Sequence, residues 1–170
     1  NGQYQTAINN TKGGYVRGVE LSYSQVMKFL PGAWSGLGFA GSYSYSQSAV
    51  TSTSNLGGAS QKIGLPGLSP KVINGTLFYS LGGFDTRFSV RHRSRFVSSQ
   101  MAIDSQLVYY APETVADFQA SYAFNNGMSV LFQVNNLTDQ PTRTYFGNTL
   151  QTGTLQWFGR QYYVGFTYAL

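Results

Sequence analysis

Four arginines, Arg87, Arg91, Arg93 and Arg95, share the odd positions of the run Phe84–Phe96 with Asp85 and Ser89. The even positions read Phe84, Thr86, Phe88, Val90, His92, Ser94, Phe96. Alternate side chains of a β-strand point to the same side, so this run predicts one charged face and one mostly apolar face. Glu20, Glu113 and Asp117 fall on the polar positions of other alternating segments, which sets four acids against the four arginines. Two chemistries fit such a face. One is a path for an anionic substrate. The other is a ladder of ion pairs bracing the wall, with Arg91 near Asp117 and Arg95 near Glu113. Equal numbers of opposite charges favour the ladder.

His92 is the only histidine, and Ser94 follows two residues later on the same face. Outer-membrane phospholipases place a His and a Ser in this way. A working triad also needs a third group to orient the imidazole and donors for an oxyanion, and neither is evident. No enzyme activity and no cofactor are therefore expected. The chain has no cysteine, which removes disulfide frameworks and Cys-based metal sites, and no metal centre is expected. Tyr109, Tyr110, Tyr145, Phe146, Trp157 and Phe158 lie in or beside long polar segments. They suit either stacking on a ligand or anchoring at a membrane interface.

The elements that must hold these residues are strands, because alternation recurs along the chain. Leu37, Phe39, Tyr43 and Tyr45 alternate with Gly, Ala and Ser. Phe118, Ala120, Tyr122 and Phe124 alternate with Asp117, Gln119 and Ser121. Met128, Val130, Phe132 and Val134 do so with Ser129, Gln133 and Asn135, Leu131 excepted. Tyr162, Val164, Phe166, Tyr168 and Leu170 form the last set, Tyr163 aside. Segments 14–28 and 68–81 alternate less cleanly. Seven strands are expected, with part of an eighth before Asn10. Leu30-Pro31-Gly32-Ala33, Gly82-Gly83 and Asn125-Asn126-Gly127 read as tight turns. Segments 48–66, 98–112 and 138–157 read as long loops, and short and long connections take turns along the chain.

Composition says what surrounds these strands. Charged residues make up 10% and aromatic residues 16%, with mean hydropathy -0.18; a soluble domain carries about 25% charged residues. Few charges, many rings and abundant Ser, Thr, Asn and Gln suit a wall between lipid and water. No run approaches the roughly 18 apolar residues of a membrane helix. Strands that cross lipid must close into a barrel, since hydrocarbon cannot satisfy an open edge. The fold class expected is all-β, a transmembrane antiparallel barrel. A soluble β-sandwich also shows short alternating strands, but seldom ones of this length with so few charges.

Two stretches of sequence resemble a known family. Tyr163, Gly165, Tyr168 and Leu170 resemble the C-terminal assembly signal of outer-membrane proteins, with Leu170 in place of the usual Phe. Asn135-Asn136-Leu137-Thr138-Asp139-Gln140-Pro141, followed by Gly159-Arg160-Gln161-Tyr162-Tyr163, is similar to the end of a TonB-dependent receptor. Gly18-Val19-Glu20-Leu21 and Tyr79–Phe96 also resemble that family. The resemblance implies the last seven or eight strands of a larger barrel of about 22 strands. It also implies a plug domain and earlier strands lying outside residues 1–170, and nutrient uptake, of ferric siderophores or oligosaccharides, energised through TonB in a Gram-negative outer membrane. On this reading residues 1–170 are a single segment. The rival is a complete eight-stranded barrel with a structural or adhesive role.

The expected partners follow from these readings. They are the lipid bilayer, the rest of the receptor, TonB through an N-terminal part, and the barrel assembly machinery. Lys12, Arg17, Lys28, Lys62, Lys71, Arg143 and Arg160 stand against only Asp104 and Asp139, which accounts for the net charge of +5. All but Lys28 fall near the long connections, where lipopolysaccharide phosphates are the natural counterions. Nothing in the sequence resembles a nucleic-acid recognition element, and no nucleic acid is expected.

Overall fold

The computed structural model describes residues 13–52, 61–101 and 107–169. The short strand expected before Asn10, and Lys12, Asp104 and Leu170, lie outside the described residues. Seven long strands make one antiparallel wall: β1 (Gly14–Val26), β2 (Leu37–Ser52), β4 (Lys71–Leu81), β5 (Phe84–Arg93), β8 (Glu113–Ala123), β9 (Met128–Asn135) and β12 (Gln161–Tyr168), paired in that order. A short strand, β3 (Gln61–Ile63), also pairs with β2. The order leaves β1 and β12 with one neighbour each among the described residues.

Cross-strand partners share a face, so the register sorts every wall residue. Leu81 pairs with Phe84, Tyr79 with Thr86 and Leu77 with Phe88, while Ser80 meets Asp85 and Asn74 meets Arg91. The cause is the Gly82-Gly83 turn, whose φ angles of 60° and 82° belong to the two-residue hairpin geometry only glycine adopts freely. From there the apolar face runs through Phe118, Phe132 and Val164, and on the other side through Phe39 and Leu21. Among the described residues no layer covers its large side chains. Phe166 is 74% exposed, Leu21 64%, Leu77 51% and Phe88 43%. In a β-sandwich this face would be the buried one. The sandwich is excluded, and lipid is the solvent that such a face requires.

The opposite face is polar and narrow in side-chain volume. Asn74 Nδ2 donates to Ser42 Oγ at 3.0 Å, and Thr76 and Ser89 hydroxyls meet at 3.0 Å. Its main apolar intrusion explains why 68–81 alternates poorly: Phe78 lies on the polar face, with its ring over Gly38. A Cβ at residue 38 would enter that ring, so the glycine is the seat for the phenylalanine.

Three expectations need correction. The connection at 30–33 is not a tight turn: β1 ends at Val26, and a 3-10 turn (Gly32–Gly36) fills the path to Leu37. Met27 N–H to Leu37 O at 2.8 Å closes this wider loop. The alternating run from Phe84 does not extend to Phe96, because β5 leaves the wall after Arg93. The long segments also contain strands: besides β3, they hold β6 (Phe96–Met101), β7 (Leu107–Tyr110), β10 (Thr142–Phe146) and β11 (Thr152–Gln156). These last four form a second sheet in the order β11-β10-β7-β6. It sits at the end of the wall opposite the Gly82-Gly83 and Asn126-Gly127 turns.

Candidate functional site

The charged residues do not gather as the sequence suggested. Register places Glu20, Asp85, Arg87, Arg91, Arg93 and Asp117 on the polar face with Glu113. Arg93 pairs with Glu113, Arg91 with Val115 and Ser89 with Asp117. The expected Arg91–Asp117 and Arg95–Glu113 pairings are therefore displaced by two residues. Such a slip keeps every side chain on its face, so alternation could not detect it. Among the described residues a single ion pair forms, Arg93 Nε to Glu113 Oε1 at 2.9 Å. No ladder exists there. Asp117 Oδ1 instead accepts the Asn136 N–H at 2.9 Å, and Glu20 Oε1 accepts the Ser44 hydroxyl at 3.3 Å.

The aromatic residues, by contrast, are organised. Tyr109 and Tyr110 lie on β7 and Tyr145 on β10. Tyr109 stacks on Tyr145 with centroids 5.4 Å apart, and Phe96 on Tyr110 at 4.8 Å. Arg93 lies 5.0 Å from the Phe96 ring centre, and Arg95, just past the end of β5, lies 5.7 Å from that of Tyr109. Each contact adds about 0.5–2 kcal/mol, more as water is excluded. Tyr145 is 2% exposed, with Val97, Leu107 and Val108 also buried, so this small sheet has a core of its own. Trp157 stands apart, 65% exposed, donating from Nε1 to Asp139 Oδ1 at 2.9 Å.

His92 and Ser94 do not form a catalytic pair. His92 Nδ1 lies 2.8 Å from Thr114 Oγ1, whereas Ser94 Oγ accepts the Lys71 N–H at 3.0 Å and meets Ser69 Oγ at 3.2 Å. On β12, Tyr163 faces the polar side with Gln133, and Tyr168 the apolar side with Met128. Gly165 lies opposite Leu131, where an added Cβ would find 3.5 Å of room. Space in the wall does not explain that glycine.

One residue of the stretch that resembles the family has a structural role that the sequence alone does not reveal. Asn136, with φ 56°, ties three segments together. Its Nδ2 donates to Gln140 O at 3.1 Å and Gly159 O at 3.2 Å, its Oδ1 accepts the Gln140 N–H at 2.9 Å, and its own N–H reaches Asp117. Asparagine is among the few residues that tolerate this backbone region, and an Asn at the end of an alternating run was the available signal.

The family profile described as TonB dependent receptor-like, beta-barrel, matches residues 1–137. The chain belongs to this family. Members of the TonB-dependent receptor family are transporters of the bacterial outer membrane, which agrees with a strand wall whose apolar face lies bare. The match takes in β1 to β9, including both stretches Gly18–Leu21 and Tyr79–Phe96 that carry the likeness in sequence. No curated protein and no solved structure matches the chain.

Proposed function

We propose that this chain is a stretch of the barrel wall of a TonB-dependent transporter that takes up a scarce nutrient of the ferric siderophore or oligosaccharide class. The observation that carries the reading is the wall itself: a bare apolar face suited to lipid, with β1 and β12 each paired on one side only among the described residues. An unpaired strand edge in hydrocarbon costs several kcal/mol for each unsatisfied group. Further strands of a larger barrel meet that need, and a plug is the partner proposed for the polar face. TonB would act through the plug. The assembly machinery would read Tyr163, Gly165, Tyr168 and Leu170. Arg17 and Lys71, on the apolar face near the end that carries the long connections, suit lipopolysaccharide phosphates. A complete eight-stranded barrel would need β1 or a strand before it to pair with β12.

Uptake separates these readings. Cells carrying the complete receptor should accumulate the nutrient only with TonB present and the membrane energised, and deletion of the receptor should abolish growth on that nutrient as sole source. Growth unaffected by deletion on every siderophore and oligosaccharide tried, or uptake that persists without TonB, would refute transport of this kind.

A further inference from the structure

The wall has a gap at its upper end. Among the described residues, 47–49 of β2 have β1 on one side but no wall strand on the other, because pairing passes from the β4 side, where Ser46 N–H donates to Pro70 O at 2.8 Å, to β3 at Val50. The chain between those strands turns inward there: Leu65 N–H donates to Ser48 Oγ at 2.9 Å, and Gly67 N–H to Val97 O at 2.8 Å. That second bond brings the small sheet against the gap. The result is a cleft of about 450 Å³ with Tyr45, Gln61, Lys62, Arg95, Phe96 and Tyr109 in its lining. This volume lies in the range of small-molecule sites.

The charge of the lining is one-sided. Among the described residues Arg95 and Lys62 line it and no carboxylate does. Arg93, the arginine that has an acid partner, is not part of it. Arg95 is also held in place, since its guanidinium lies over the Tyr109 ring and both residues line the cleft. A guanidinium fixed on an aromatic face keeps its planar fork of donors free for a carboxylate or phosphate. Phe96 and Tyr109 add flat apolar surface and Gln61 an amide, while Tyr45 borders the cleft from the apolar face of the wall. We propose that this cleft binds a small soluble organic anion with a flat apolar body, its acidic group on Arg95, while Lys62, which its partner Thr51 puts on the outer face of the wall, adds only its charge at the rim. The inference deepens the transport reading and rests on it for its meaning, since the anion would be the nutrient or part of it.

The test is binding to the complete purified receptor in uncharged detergent, by equilibrium dialysis, with 1-naphthoate as probe and uncharged 1-naphthamide as control. Naphthoate should bind and the amide at least tenfold more weakly. Arg95→Gln should weaken naphthoate about tenfold, as loss of one charge-assisted hydrogen bond does. Arg95→Lys should recover part of that, and Lys62→Gln should cost less than Arg95→Gln. All variants should keep the heat-modifiable gel shift of a folded barrel. Equal binding of acid and amide, or an Arg95→Gln receptor that is folded and binds normally, would overturn the proposal. So would displacement of the probe by lipopolysaccharide at matched phosphate concentration, which would assign the cleft to a lipid headgroup. No energy source enters this measurement, so a failure of TonB-driven uptake and a failure of the cleft are read separately.

Discussion

Exchanging charge between the two faces of β5 tests the assignment of lipid and water directly. Phe88 sits fifth of the ten residues of β5, with Leu77 and Phe118 beside it on the apolar face. At about 3.3 Å per residue and a tilt near 40°, it lies about 10 Å above the lower end of the strand and about 13 Å below the upper. That is close to the middle of a hydrocarbon layer about 25 Å tall. A cation at this depth on the lipid face costs about 2–4 kcal/mol, so Phe88→Arg should lower the folding equilibrium about thirtyfold or more. Arg91 is three residues further on and on the other face, between Asn74 and Val115. It has no ion-pair partner among the described residues, and Arg91→Leu should cost less than about 1 kcal/mol. The assay is equilibrium refolding of the complete receptor from urea into thin phosphatidylcholine bilayers, read by the heat-modifiable gel shift. If Arg91→Leu proves the more damaging, the faces are inverted and the lipid contact is wrong.

The Arg93–Glu113 pair should respond asymmetrically. Arg93→Met strands a carboxylate whose side chain is only 14% exposed and removes the contacts to Phe96 and Tyr110, at about 2–4 kcal/mol, whereas Glu113→Gln leaves an arginine still resting on two rings, at about 1 kcal/mol. Equal losses in urea titrations would mean the rings contribute nothing. Gly38→Leu should impair folding, and adding Phe78→Ala should restore much of it by vacating the space the ring holds; no rescue would deny that the two share it. For topology, single cysteines at Leu150 and Asn126 should label differently on intact cells, with only the first reactive, since they lie at opposite ends of the wall. Equal reactivity would remove the outer-membrane orientation.

What was legible in the sequence was whatever period two and a short turn control. The β4–β5 pairing could be read residue by residue, because a two-glycine turn leaves one register and the arginines oppose any odd slip. The β5–β8 pairing could not. Its connection runs from Ser94 to Pro112, far too long to pin a register, and alternation distinguishes odd slips from even ones only. The small sheet was hidden for a related reason. Tyr109, Tyr110 and Tyr145 were visible as aromatic residues in polar segments, but strands of four to six residues carry too little alternation to be recognised. The cleft is beyond reach altogether, as parity puts Arg95 on β5 and only the departure of the chain after Arg93 sends it over Tyr109.

The pairing of β10 with β7 joins two hairpins that belong to different connections, one from 96–110 and one from 142–156. Neither hairpin is then free to drift on its own. A substitution on one must suit the other, so the pair should vary together among related chains rather than as two independent loops. A binder that recognises this cap from outside, whether antibody or phage tail fibre, would meet a discontinuous epitope. Peptides copied from either hairpin alone would compete poorly for it.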